Sequence, residues 1–270
     1  MRRFWPERIA QTSGFFGEAA LLLKGKVAVI SGAASPRGIG LATARLFAAH
    51  GAKVAILDLD LNAAHEAASS LGEGHLGLRC DVSDAEACRS AVSAVIGKFG
   101  AIDVLINNAG ITQPVKTLEI DAKSWQRILD VNLTGVLLLS QAVIPHMKSR
   151  GRGGSIACMS SVSAQRGGGV FGGPHYSAAK AGVLGLGKAM AREFGPDGIR
   201  VNCVTPGLIE TDITGDKLTP TMKADIIKGI PLSRLGAAND VANVYLFLAS
   251  DLSAYVTGAV IDVNGGMLIH

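Results

Sequence analysis

Paired cysteines, a clustered basic surface and a long apolar run are all missing from this 270-residue chain, and each absence removes a class of function. The four cysteines, Cys80, Cys88, Cys158 and Cys203, are scattered and contain no C-x-x-C. Such usage points to a reducing cytoplasm in which thiols act as small apolar fillers, and it offers no metal site. The net charge is +4, yet lysines and arginines are dispersed and not interleaved with aromatics, so the footprint of a nucleic-acid binder is absent. No apolar stretch reaches the roughly 18 residues of a membrane-crossing helix. Residues 1–24 begin with basic side chains, but Pro6, Glu7, Arg8 and Glu18 interrupt any signal-peptide core, so the segment reads as an extension ahead of one domain spanning 25–270.

What is present is a globular composition. Hydrophobic residues make up 48% of the chain, which excludes disorder, and 34 glycines against 9 prolines suit tight turns and close packing. Short apolar runs at 26–31, 53–58, 75–80, 102–107, 155–160, 199–205 and 259–263 read as strands. Most are apolar on both faces, as in a parallel sheet covered on two sides. Helical patterns near 38–50, 61–71, 84–99, 121–149, 176–194 and 238–250 alternate with them, the third entered through the capping signal "SDAE". The expectation is an α/β fold with a single Rossmann-type, doubly wound, seven-stranded parallel sheet and helices on both faces. The long connection 208–235, with a short helix around 220–228, reads as a substrate lid. Two helices, "LTGVLLLSQAVIPHM" and "AAKAGVLGLGKAM", are apolar nearly all round, which predicts burial of their outer faces against another subunit.

Strand 26–31 runs into "SGAASPRGIGLATA", where a turn and a helix N-terminus would place backbone amides around a diphosphate. Gly32 permits the turn, and Gly38 and Gly40 keep Cβ atoms out of the way of phosphate or sheet. By themselves these glycines describe a strand-to-helix turn equally well. Asp58 adds weight, because it ends the second strand 18 residues after Gly40, where an acid accepts hydrogen bonds from the adenosine ribose. An acid there favours NAD over NADP, while Arg37 could reach the extra phosphate of NADP, which leaves NADP possible. "YSAAK" sets Tyr176 and Lys180 on one helix face. A lysine ammonium about 4 Å from the phenol would lower the phenol pKa by roughly three units, toward the range useful for acid–base work.

The order of "SGAASPRGIG", Asp58, "CDVSD", "NNAG", "VNLTG", "SSV", "YSAAK", "VTPGLIET" and "DVNGG" resembles the short-chain dehydrogenase/reductase family from about residue 24 to 266. The resemblance implies a nicotinamide cofactor and a catalytic set of Asn132, Ser161, Tyr176 and Lys180. Tyr176 would exchange a proton with the substrate oxygen, and Ser161 would hold and polarise the carbonyl. Lys180 would lower the Tyr176 pKa and bind the nicotinamide ribose, and Asn132 would position a relay water. Gly32, Ser35, Arg37, Gly38, Ile39 and Gly40 would form the phosphate turn. Asp58 would meet the adenosine ribose, and Asp81 and Val82 the adenine. Asn107, Ala109 and Gly110 would line the cleft, with Asn108 structural; Val204, Pro206, Gly207, Ile209 and Thr211 would enclose the nicotinamide end.

The chain departs from the family pattern in two places. Five residues separate Gly32 from Gly38 where three are usual, so the phosphate turn is longer by two. Counting back from Tyr176 selects Ser163 as the catalytic serine, whereas alignment from the end of strand 155–160 selects Ser161; a strand end fixes position better than the glycine-rich 165–173. His175, next to Tyr176, reads as a rim or structural residue. The expected function is NAD(H)-dependent interconversion of a secondary alcohol and a ketone by a cytoplasmic homo-oligomer, a tetramer by preference, acting on a small-molecule carbonyl or alcohol. "IPLSRLG" and "DVNGG" resemble reductases of 3-oxoacyl thioesters on acyl carrier protein, which makes an NADPH-dependent reductase of that kind the alternative. A non-catalytic nicotinamide sensor is the alternative of another class.

Overall fold

The computed structural model describes residues 21–169, 171–213 and 218–270. Most of the extension, residues 1–20, and the lid segment 214–217 lie outside the described residues, as does residue 170 of the glycine-rich insert. Alternation explains the sheet. In β1 (Val27–Ser31) and β2 (Lys53–Asp58), Val27, Val29, Ala55 and Leu57 face one apolar layer, while Ala28, Ile30, Val54 and Ile56 face the other. A strand buried on both faces needs helices on both, and connections of helix length supply them.

The chain continues through α1 (Ile39–Ala49), α2 (Leu61–Ser69), β3 (Leu76–Arg79), α3 (Ala85–Phe99) and β4 (Val104–Asn107). Next come α4 (Ala122–Leu129), α5 (Gly135–Arg150), β5 (Gly154–Met159), the short α6 (Ser163–Arg166), α7 (Pro174–Phe194) and β6 (Ile199–Pro206). A two-residue bridge pairs β7 (Ile209–Glu210) with β8 (Gly236–Ala237), flanking α8 (Pro220–Lys228), and α9 (Ala238–Ala249) leads to β9 (Val260–Val263). Seven strands form one parallel sheet in the order β3-β2-β1-β4-β5-β6-β9. The order reverses between β1 and β4, and the crevice at their carboxyl ends is where doubly wound sheets hold ligands.

Helices α1, α2 and α9 cover one face and α3, α5 and α7 the other. Fully buried side chains such as Phe47 and Leu139 each contribute roughly 1.5–3 kcal/mol by leaving water. Asp60 and Asp84 start α2 and α3 by accepting backbone amides two and three residues on, at 2.7–3.2 Å.

Three expectations change. Leu23, assigned by sequence to the extension, is fully buried, and its amide donates to the His50 carbonyl at 3.0 Å, so the folded domain reaches back to the start of the described residues. The single helix expected over 121–149 is interrupted by a π-helical turn, Asp130–Thr134, between α4 and α5. The expectation that no apolar stretch is long enough to cross a membrane is corrected as well, since the continuous run Ala122–Arg150 passes by length and composition. Its apolar stripe, Val136, Leu139, Val143 and Met147, is buried on the sheet.

Candidate active site

A cavity of about 1360 Å³ opens over the carboxyl ends of β1, β4, β5 and β6. Its phosphate-loop wall is built by close backbone approach. Gly32 has φ +62°, and a Cβ there would lie 2.6 Å from the Cα of Ala109. A Cβ on Gly40 would lie 2.7 Å from Ala33 Cα and the Gly32 carbonyl oxygen, so Gly40 is required by packing of α1 on the loop. Asn108 Nδ2 donates to the carbonyls of Ser31 (3.0 Å) and Gly32 (2.8 Å), and Ser31 Oγ accepts from the amides of Asn108 and Ala109. A hydroxyl at residue 31 and an amide at 108 thus hold the turn open. The first turn of α1 has neither a side-chain cap nor an acid, leaving its amides and positive dipole end for an anion.

At the far end of β2, Asp58 accepts the Ala34 amide at 3.0 Å and the Leu59 amide at 2.8 Å. The carboxylate is thereby fixed on the rim of the cavity. Asp81 is fixed in a similar way, accepting the amide (2.9 Å) and hydroxyl (2.6 Å) of Ser83.

The chemical end of the cavity lies between β5, α7 and the π-helical turn. Ser161, just past β5, accepts the Ser163 amide at 3.1 Å and shares a hydrogen bond with Tyr176. Ser163 opens α6 and, like Ser161, is buried and lines the cavity. Lys180, one turn after Tyr176 on α7, is almost fully buried and donates from Nζ to the Met159 carbonyl at 2.9 Å. Burial draws its pKa down to about 8. Nζ lies 5.7 Å from the centroid of the Tyr176 ring, and the expected lowering of the phenol by Lys180 is corrected, because the phenol is raised. Burial pushes the Tyr176 phenol up, and the Ser161 hydrogen bond works against that shift.

Asn132 sits in the π-helical turn, fully buried, and donates to the carbonyls of Ile111 (2.9 Å) and Ile128 (3.0 Å). Turns of this kind are frequent at functional sites. Its Oδ1 has no hydrogen-bond partner among the described residues. A Cβ on Gly110 would lie 2.8 Å from that oxygen and 3.4 Å from Lys180 Nζ, so glycine keeps open a gap bordered by both polar groups.

Most of the expected site residues share this one cavity: Gly32, Ser35, Gly38, Ile39, Asp58, Asp81, Val82, Ala109, Gly110, Asn132, Ser161, Tyr176, Lys180, Pro206, Gly207, Ile209 and Thr211. Arg37, Gly40, Asn107 and Val204 do not line it. Asn107 points into the core, where its Nδ2 donates to Ser140 Oγ at 3.0 Å, and Asn108 takes the place on the wall. Val204 is fully buried within β6. His175 is also fully buried, with Nε2 3.3 Å from Gln113 Oε1; burial lowers its pKa, and it does not line the cavity. Sequence reading did not find Phe171, Ile213, Ile226 and Met267, which give the substrate end an apolar lining. No group of metal-ligating side chains occurs among the described residues.

These features, a dinucleotide-sized cleft at a switch point with Ser, Tyr and Lys at one end, define a nucleotide-dependent enzyme of the doubly wound class. Comparison with known proteins narrows the class. The family model described as "Enoyl-(Acyl carrier protein) reductase" matches residues 32–268. An uncharacterized short-chain type dehydrogenase/reductase of Sinorhizobium fredii is 74% identical over 254 residues, covering 93% of this chain and all of that one. The 3-oxoacyl-[acyl-carrier-protein] reductase of Escherichia coli is 41% identical over 244 residues, covering 90% and 98% of the two chains. The crystal structure of a short-chain type dehydrogenase/reductase from Mycobacterium marinum superposes with a TM-score of 0.88 at 36% identity, covering 93% and 98%. The chain belongs to the short-chain dehydrogenase/reductase family and is an oxidoreductase; the family uses NAD or NADP.

Proposed function

We propose that this chain is an NAD(H)-dependent oxidoreductase that interconverts a secondary alcohol and a ketone. The observation that carries the reading is the convergence of Ser161, Tyr176 and Lys180 at one end of a cavity whose other end is bordered by Asp58. The amides at the start of α1 would hold the cofactor diphosphate, Asp58 the adenosine ribose, and Pro206, Gly207, Ile209 and Thr211 the nicotinamide end. A bound nicotinamide supplies or accepts the hydride.

Tyr176 gives a proton to the substrate oxygen in reduction and removes it in oxidation. Ser161, already bonded to Tyr176, holds that oxygen in line with the phenol. With its pKa near 8, Lys180 can pass a proton toward Tyr176 near neutral pH. The unpartnered Oδ1 of Asn132, across the Gly110 gap from Lys180, suits a bridging water that refills it.

Four free, buried cysteines fit a cytoplasmic enzyme, and the apolar outer faces of α5 and α7 fit a homotetramer. Relatives named 3-oxoacyl-[acyl-carrier-protein] reductase, including one from Thermotoga maritima at 42% identity, support a second reading as an NADPH-dependent reductase of such thioesters. Initial rates with NAD and NADP across polyols, steroids, cyclic alcohols and 3-oxoacyl thioesters separate the two. Turnover of alcohols with NAD supports the first, and a clear NADPH preference with thioesters supports the second. The presence of Ser161, Tyr176 and Lys180 together argues against a non-catalytic sensor.

A further inference from the structure

Arg37 stands in the phosphate turn, three residues beyond Ala34, whose amide bonds Asp58 at 3.0 Å. From that rim a guanidinium could meet a phosphate on the same ribose that Asp58 would hold. The structure directs it elsewhere. Arg37 Nε donates to Asp212 Oδ1 at 2.5 Å, the Arg37 amide donates to Asp212 Oδ2 at 3.0 Å, and Ser35 Oγ donates to the same oxygen at 2.6 Å. Three donors from one turn converge on one carboxylate 175 residues away in sequence. The Ser35 hydroxyl first, and then Arg37, hold the Asp212 pKa at about 2, so the carboxylate is charged throughout the neutral range.

Two further facts give this contact a direction. Ser35, Gly38 and Asp58 line the cavity, whereas Arg37 and Asp212 do not, so the guanidinium is turned away from the cofactor space. The amides at the start of α1 carry no side-chain cap, so the diphosphate has its own donors and does not need those taken by Asp212. The turn is longer by two residues than the family pattern, and Ser35, Pro36 and Arg37 form the stretch that reaches Asp212.

We propose that Asp212 is a specificity-determining residue: by holding Arg37 against the segment 207–213, it withholds a cation from the 2′-phosphate of NADP and leaves Asp58 to favour NAD. The inference rests on the nicotinamide reading above and adds a residue to it. Because the Arg37 side chain is 71% exposed, the contact is a modest one, and the expected effect is correspondingly modest.

Calorimetric titration of wild type, Asp212→Ala, Arg37→Ala and the double variant with NAD and with NADP tests it. Asp212→Ala should improve NADP relative to NAD by about fivefold in the ratio of dissociation constants, because the freed guanidinium can turn to the phosphate. The double variant should lose that gain. Asp212→Asn, which keeps the shape without the charge, should move the ratio in the same direction. A ratio in Asp212→Ala within about twofold of wild type, or a gain that survives in the double variant, overturns the proposal. Tighter binding of NADP than NAD by the wild type contradicts the cofactor preference instead, and the shift in ratio on removing Asp212 still decides the role of that residue.

Discussion

The Lys180 ammonium donates to the carbonyl of Met159 at 2.9 Å from a site that is almost fully buried. Burial lowers its pKa from 10.5 to about 8, which has a consequence for stability. Between these values the unfolded chain binds more protons than the folded one, so stability rises with pH across that window. The cost of burying the charge is fully present below about pH 8 and relieved by about pH 10.5, amounting to roughly 3 kcal/mol. Lys180→Met removes this term. The stability of the variant minus that of wild type should therefore be most favourable below pH 8 and decline as pH rises to 10.5. Urea titrations across that range measure it; a pH-independent difference would contradict the buried charge.

Ser161 and Ser163 both line the cavity but make different contacts. The Ser161 hydroxyl bonds Tyr176, while Ser163 contacts Ser161 through its backbone amide. Ser161→Ala should lower kcat by about 10²–10³, the loss typical of an oxygen-stabilising donor. Ser163→Ala keeps the amide and should cost less than about tenfold. The opposite ranking in steady-state kinetics would reassign the serine.

At Gly32 the backbone has φ +62°, and an added Cβ would meet Ala109 Cα at 2.6 Å. Gly32→Ala should destabilise the fold by roughly 1–3 kcal/mol and weaken cofactor binding, since the phosphate turn must move. Chemical denaturation and cofactor titration report the two effects. An unchanged denaturation midpoint would show that the turn is not held by this contact.

Asn132→Leu removes the donor shared by the buried carbonyls of Ile111 and Ile128. Leaving them unpaired should cost roughly 1–3 kcal/mol each at most, and kcat should fall with the relay. Asn132→Asp is the control: it retains the shape, and one carboxyl proton can replace only one of the two donated bonds, so intermediate stability is expected in urea titrations.

The sheet was legible because its strands are apolar on both faces, as with Val54 to Leu57, and because Asp84 caps α3 through a local signal. The place of Ser161 just past β5 was legible because a strand end fixes it. The π-helical turn was not: an extra residue within an apolar helix leaves no periodic mark, and Asp130–Thr134 reads as more of the same helix. Asn107 and Asn108 are adjacent amides, and only the direction of each side chain from the end of β4 tells core from wall. The pairing of Arg37 with Asp212 is a tertiary contact with no local signal at all. The tyrosine shift was misjudged for a related reason, since spacing on a helix gives proximity to Lys180 but not the desolvation that raises the phenol.

The central claim is that Tyr176 is the proton donor of an oxidoreductase, and Tyr176→Phe measured for both turnover and cofactor affinity tests it most directly. Turnover should fall by about a thousandfold or more, while the cofactor dissociation constant stays within about threefold of wild type. A variant that retains more than about a tenth of wild-type turnover would contradict the account.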